Sequence, residues 1–204
     1  MIAIIDYGMG NLGSVDKALS YIGCPSEITS DPAEVLKADR VILPGVGAME
    51  YAMHQLRSRD LDRAIARFLD TGRPFLGICL GMQLMFDRSE EGNAGGLGLL
   101  TGVVRRFPQL PGLKIPHIGW NRLQNCKLAL LPEEQSFYFV HSYYVDPADP
   151  ASIAARSTHG IPFAAAVRRE NILLTQFNPE QSGEAGLKLL RDWTASESGK
   201  ENNT

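Results

Sequence analysis

The chain has 204 residues, with 20 Lys plus Arg against 23 Asp plus Glu and a formal net charge of −3. Hydrophobic residues make up 44% and charged residues 21%, proportions that let a chain of this size bury a core without a disulfide or metal staple. This balance excludes a strongly basic nucleic-acid binder and gives no attraction to an anionic membrane. No apolar run reaches the roughly 18 residues of a membrane span, and Met1 to Tyr7 lacks the basic start and cleavage site of a signal peptide.

The length predicts a single domain, taken as residues 1–196, with a polar tail over 197–204. The three cysteines, Cys24, Cys79 and Cys126, are odd in number and widely spaced. They fit neither a disulfide framework nor a zinc site, and point to a reducing, cytoplasmic setting with no metal.

In chain order, Ile2-Ala3-Ile4-Ile5 is a short apolar run of the kind buried on both faces of a sheet. Asp6-Tyr7-Gly8-Met9-Gly10-Asn11 breaks it. Leu12, Val15, Leu19 and Ile22 then recur at helical spacing, and Gly23 ends that helix. Val41-Ile42-Leu43 is a second strand, stopped by Pro44-Gly45-Val46-Gly47 and followed by helical patterns around 48–56 and 61–69. Phe75 to Ile78 is a third strand, and Cys79 to Phe86 reads as the helix that follows it. Strands alternating with helices predict a doubly wound α/β fold with a mostly parallel central sheet.

The pattern changes after residue 90. Gly92 to Gly98 reads as a loop. Strand-like runs follow at 102–107, 115–123, 137–145, 153–157, 163–168 and 172–176, with few helices between them, which predicts an antiparallel extension. A last helix runs from Gly183 to Trp193.

The strongest chemical feature is Gly77-Ile78-Cys79-Leu80-Gly81, a nucleophile flanked by small residues between a strand and a helix. Such an elbow turns sharply and exposes the nucleophile at a helix N-terminus, where the dipole favours a thiolate. Two packing glycines around a buried cysteine would give the same letters. Pro44-Gly45-Val46-Gly47 lies at the carboxyl end of a neighbouring strand, where sites form in open parallel sheets, although an ordinary strand-to-helix turn has the same pattern. Cysteine chemistry wants a base. His54, His117, His141 and His159 are the four histidines, and the pattern of the residues singles out none of them.

Together these segments resemble the triad-type, class I glutamine amidotransferases. Gly77-Ile78-Cys79-Leu80-Gly81-Met82-Gln83 is similar to the nucleophile segment, Pro44–Gly47 to the oxyanion strand, and Gln176-Phe177-Asn178-Pro179-Glu180 to the segment with the other two triad members. Pro116-His117-Ile118-Gly119-Trp120-Asn121 and Tyr138-Phe139-Val140-His141-Ser142-Tyr143 resemble one branch, the glutaminase subunits of imidazole glycerol phosphate synthases.

The resemblance implies a flavodoxin-like fold. It implies a heterodimer with a (β/α)₈-barrel cyclase that receives ammonia released from glutamine, in histidine biosynthesis, with no cofactor. Cys79 would attack the glutamine amide and form a thioester. Leu80 and Val46 or Gly47 would hold the oxyanion, and Gly45, Gln83 and Glu91 would bind substrate. Glu180 would orient the base, and Asn11, Trp120 and Gln181 would lie at the partner interface.

Two positions depart from that pattern. The family has histidine where this chain has Asn178, and usually lysine where it has Gln181. An amide cannot take up or deliver a proton near neutral pH, so an impaired glutaminase is expected. The alternative is a non-catalytic regulatory or assembly subunit of a synthase running on free ammonia. A glutaminase for another acceptor enzyme and a flavodoxin-like binding module built on Gly8-Met9-Gly10-Asn11 are further readings. The 116–121 and 138–143 segments speak against the first, and the lack of a full dinucleotide fingerprint against the second.

Overall fold

A computed structural model describes residues 1–196 apart from Asn93, Pro132 and Glu134; the tail expected at 197–204 lies outside the described residues. Seven strands form the central sheet in the order β10-β11-β12-β4-β3-β1-β2. They are β1 (Ile2–Ile5), β2 (Ser26–Thr29), β3 (Arg40–Leu43), β4 (Phe75–Ile78), β10 (Ile153–His159), β11 (Ile161–Arg169) and β12 (Ile172–Thr175). The pairs from β2 to β12 are parallel, and β11 and β10 add an antiparallel edge.

Alternation along each strand explains why both faces are covered. Ala3, Ile5, Val41 and Leu43 pack into one core with helices α2 (Pro32–Lys37), α3 (Met49–Ser58) and α4 (Leu61–Leu69). Ile2, Ile4, Ile42 and Leu76 pack into the other with α1 (Leu12–Tyr21) and α6 (Gly183–Ala195). Side chains of successive strand residues point to opposite faces, so four-residue apolar runs supply both layers at once. No described helix is long and apolar enough to cross a membrane.

The second half also builds two small sheets over the carboxyl edge. One joins β5 (Phe86–Ser89), β6 (Leu100–Arg106) and β9 (Tyr143–Pro147); the other is the antiparallel ribbon of β7 (His117–Arg122) and β8 (Ser136–His141). Three sequence expectations need correction. The helix expected from Cys79 to Phe86 is a single turn, α5 (Leu80–Gln83), because the chain leaves it at Leu84 and enters β5 at Phe86. The run 137–145 is two strands, because the chain crosses from β7's partner β8 to β6's partner β9 at Ser142. The antiparallel extension is divided among three sheets rather than forming one patch.

Candidate active site

Cys79 sits between β4 and α5 with φ 56° and ψ −110°. A non-glycine residue in this region stores about 1–3 kcal/mol of strain and persists only where its surroundings hold it. Here they do. The Cys79 amide donates to the Thr175 carbonyl at 2.8 Å. Gly77 and Gly81 let the turn lie against its neighbours: a Cβ on Gly81 would come within 1.8 Å of the Leu43 carbonyl oxygen. The elbow is thus wedged against the end of β3, beside Pro44–Gly47.

Cys79 lines a cavity of about 290 Å³, at the small end of the range for small-molecule sites. Of the residues the sequence pointed to, Val46, Gly47, Leu80, Gln83 and Glu91 share its walls. Val46 and Gly47 are exposed, and Gly45 is buried behind them. Glu91 accepts a hydrogen bond from the Met49 amide at 2.9 Å and so caps α3. The remaining walls, Pro116, Val140, His141, Ser142 and Tyr143, come from the ribbon and the β8–β9 crossing. Spacing gave no sign of them beyond the two quoted segments, because strand switching brings them there.

The Cys79 thiol accepts from Gln176 Nε2 at 3.8 Å and faces the Val140 carbonyl at 3.8 Å. Burial, then the nearby Glu180 charge, push its pKa up to about 12; the Leu80 amide and Gln176 pull the other way. The expected thiolate is therefore not the resting form. A helix of one turn supplies little dipole, and the thiol of a residue only 7% exposed is poorly solvated. Alkylation of Cys79 by iodoacetamide is expected to speed up about tenfold per pH unit from 7 to 10, as the thiolate fraction grows below a pKa near 12. Peptide mapping by mass spectrometry reads this; a rate that levels off near pH 8 would contradict it.

The Leu80 amide points at the Gly45 carbonyl, 3.4 Å away. One of the two expected oxyanion donors is thus already engaged by the strand expected to supply the other.

Asn178 and Glu180 lie off the cavity wall, at the turn after β12. Asn178 Nδ2 donates to Glu180 Oε1 at 2.9 Å. The Asn178 amide donates to the Tyr138 carbonyl at 3.0 Å, and Ser182 Oγ donates to the Asn178 carbonyl at 2.7 Å. Position 178 is thereby fixed against the ribbon. Asn178 Oδ1 and Glu180 Oε2 are buried without a hydrogen-bond partner, which costs about 1–3 kcal/mol per group. Burial raises the Glu180 pKa, opposed chiefly by the bond from Asn178. Gln181 is exposed beside them, and Asn11 is exposed at the start of α1.

No histidine offers a free ring nitrogen to the cavity. His54 is exposed on α3. His141 alone reaches the cavity, but its Nδ1 bonds to the Tyr143 carbonyl and its Nε2 to His117, so no ring nitrogen is left for substrate. Burial holds its pKa down at about 3.

The class-I glutamine amidotransferase family matches residues 3–195. The chain belongs to this family. The amidotransferase match spans nearly the whole chain and includes every element that positions Cys79. Imidazole glycerol phosphate synthase subunit HisH of Gloeothece citriformis is 49% identical over 199 residues, covering 95% of this chain and 94% of that protein. The subunit of the same name from Thermosynechococcus vestitus is 50% identical over 200 residues, covering 95% and 96%. Among solved structures, a glutamine amidotransferase superposes with a TM-score of 0.73 at 15% identity, covering 95% of this chain and 97% of the other. The PurLQS structure from Thermotoga maritima gives 0.72 at 19% identity, covering 95% and 96%. These two show the shared fold.

Proposed function

We propose that this chain is the glutaminase subunit of an imidazole glycerol phosphate synthase, impaired in turnover by Asn178. The observation that carries the reading is Cys79 on its strained elbow in the wall of a small cavity, in a chain about half identical to HisH subunits over 95% of its length.

In this reading the Cys79 sulfur adds to the glutamine side-chain carbonyl. The carbonyl oxygen takes the negative charge and receives N–H groups from Leu80 and from Val46 or Gly47 once the Gly45 carbonyl has turned away. The C–N bond then breaks. Ammonia leaves with the proton that came from the thiol, and a glutamyl thioester remains on Cys79. Water cleaves the thioester to glutamate and restores the thiol. Gln83, Glu91 and Gly45 hold the substrate, and Glu180 orients the group at 178. Both proton transfers need a base at 178, which an amide does not provide.

The partner in this reading is a (β/α)₈-barrel cyclase, docked over the mouth of the cavity. The β7–β8 ribbon turns His117, Phe137, Phe139 and His141 inward and leaves Ile118, Trp120 and Val140 exposed on its other face. Trp120 is 60% exposed and Val140 also lines the cavity. An exposed apolar strip ending at a site mouth is what a subunit interface covers. Trp120→Ala is expected to weaken the heterodimer by about 2 kcal/mol, roughly 30-fold in Kd. Calorimetric titration against the barrel subunit measures it, and unchanged affinity would reject Trp120 as an anchor.

The function itself is tested by reconstituting the chain with the barrel subunit and the ribonucleotide substrate. Product formed with ammonium salt, and glutamine-dependent product from the Asn178→His form, support the reading. Complex formation with no glutamine-dependent product from either form favours a regulatory subunit.

A further inference from the structure

A continuous run of hydrogen-bonded groups leads from the ribbon to Cys79, and its members Asn121, His117, His141 and Gln176 have no part in the reaction above. Asn121 on β7 has its amide fixed at both ends: Oδ1 accepts from the Arg122 amide at 2.8 Å, and Nδ2 donates to the Thr158 carbonyl at 2.9 Å. Its Nδ2 also faces His117 Nε2 at 3.3 Å. His117 Nδ1 lies 3.0 Å from His141 Nε2, and His141 Nδ1 lies 2.8 Å from the Tyr143 carbonyl oxygen. That oxygen also accepts from Gln83 Nε2 at 3.1 Å. Gln83 Nε2 donates to Gln176 Oε1 at 3.0 Å, and Gln176 Nε2 donates to Cys79 Sγ at 3.8 Å.

The directions of these bonds are determined. A carbonyl only accepts, so His141 carries its proton on Nδ1, and in a neutral ring Nε2 must then accept. His117 therefore donates from Nδ1 and accepts at Nε2, which needs a donor from Asn121. The Asn121 amide, oriented by Arg122 and Thr158, presents that donor. The two ends of the chain of bonds thus demand the same tautomer of both rings. Burial, with a neighbouring histidine adding to it, holds His117 at about 4 and His141 at about 3, so both rings are neutral near pH 7. Packing fixes the planes: His117 stacks between Phe139 at 5.0 Å and His159 at 4.2 Å, and His141 meets the Phe107 edge at 5.2 Å.

We propose that Asn121 and His117 are positioning residues for the glutamine pocket, acting through His141 to orient the Tyr143 carbonyl and the wall it belongs to. The chain crosses between two sheets at Ser142, so no single ladder stiffens that wall. The relay does so instead, and it ties the wall to Gln83 and Cys79. The inference deepens the glutaminase reading and rests on it for the identity of the ligand.

The test uses the ¹⁵N-labelled full chain near neutral pH. Long-range proton–nitrogen correlation should show His117 and His141 as Nδ1–H tautomers before any ligand is added, whereas His159, whose Nε2 faces the Lys114 carbonyl at 2.9 Å, should carry its proton on Nε2. Titration with L-glutamine then gives a dissociation constant. His117→Phe, which keeps the ring and removes the donor, should raise it about tenfold, while His117→Asn, whose amide nitrogen can stand where Nδ1 stood, should stay within about threefold. Should His117→Phe fail to fold, Asn121→Asp serves: its acceptor-only carboxylate should force the His117 proton onto Nε2 and weaken glutamine about tenfold. An Nε2–H form of either ring in a chain that binds glutamine would overturn the relay, and so would undiminished binding by His117→Phe or, in its place, by Asn121→Asp. Correct tautomers in a chain that binds no glutamine would instead overturn the glutamine reading, and this role with it.

Discussion

Asn178→His is expected to raise glutamine-dependent turnover of the reconstituted synthase by about 10²–10⁴, the usual contribution of a positioned general base. The site is arranged to accept the change. Asn178 already holds Glu180 through an N–H at 2.9 Å, a bond an imidazole N–H can make, leaving its other nitrogen for the reaction. Asn178 Oδ1 and Glu180 Oε2 are buried with no hydrogen-bond partner, so the substitution breaks no bond at either atom. In the unmodified chain thioester formation should survive better than its hydrolysis, because sulfur is a good nucleophile and water is not. Incubation with glutamine should therefore leave a glutamyl adduct on Cys79, seen by mass spectrometry. Synthesis from ammonium salt should be nearly the same for both forms, since in the proposed reading the cyclisation belongs to the partner subunit and does not pass through position 178. Equal glutamine hydrolysis by the two forms would mean that the triad assignment is wrong.

Reading the sequence succeeded where one local rule decided the outcome. Strands β1, β3 and β4 are uninterrupted apolar runs because helices cover both faces of the parallel sheet. The elbow and Pro44–Gly47 were legible because close packing there leaves no space for a Cβ: one on Gly45 would come within 2.5 Å of the Tyr7 hydroxyl. Short or exposed elements escaped notice. Strand β2, Ser26–Thr29, has two exposed residues of four on the edge of its sheet, and β5 carries the exposed pair Asp87 and Arg88. Neither shows an apolar run or a clean alternation.

The far wall of the site was hidden for a different reason. Val140, His141, Ser142 and Tyr143 are neighbours in sequence, but they reach Cys79 because β8 and β9 belong to different sheets. Gln176 read as the end of a strand-like run; its bonds to Cys79 and Gln83 depend on the parallel pairing of β12 with β4. Periodicity carries no information about which strand lies beside which. The resemblance supplied the segments concerned, and the structure supplies the contacts among them.

Gly81→Ala is expected to destabilise the fold by at least about 3 kcal/mol, through a steric conflict that no side-chain rotation can relieve. The added Cβ would come within 1.8 Å of the Leu43 carbonyl oxygen and 2.8 Å of its carbonyl carbon, and both are backbone atoms at the carboxyl end of β3, an inner strand of the sheet. Something larger than a rotamer must move. Leu43 is paired with Gly77 across β3 and β4, so the displacement falls either on that pairing or on the turn at Cys79. Both lead into the site, since Pro44–Gly47 follows Leu43 directly and the Leu80 amide faces Gly45. For a chain of this length 3 kcal/mol lowers Tm by roughly 6–12 °C, which calorimetry would read. The site should suffer along with the fold: in the Asn178→His background, whatever protein remains folded should lose glutamine turnover further than its folded fraction explains, because the proposed oxyanion donors depend on the spacing between Leu80 and Gly45. A Tm within about 2 °C of the unsubstituted chain would mean that the elbow is not wedged against β3.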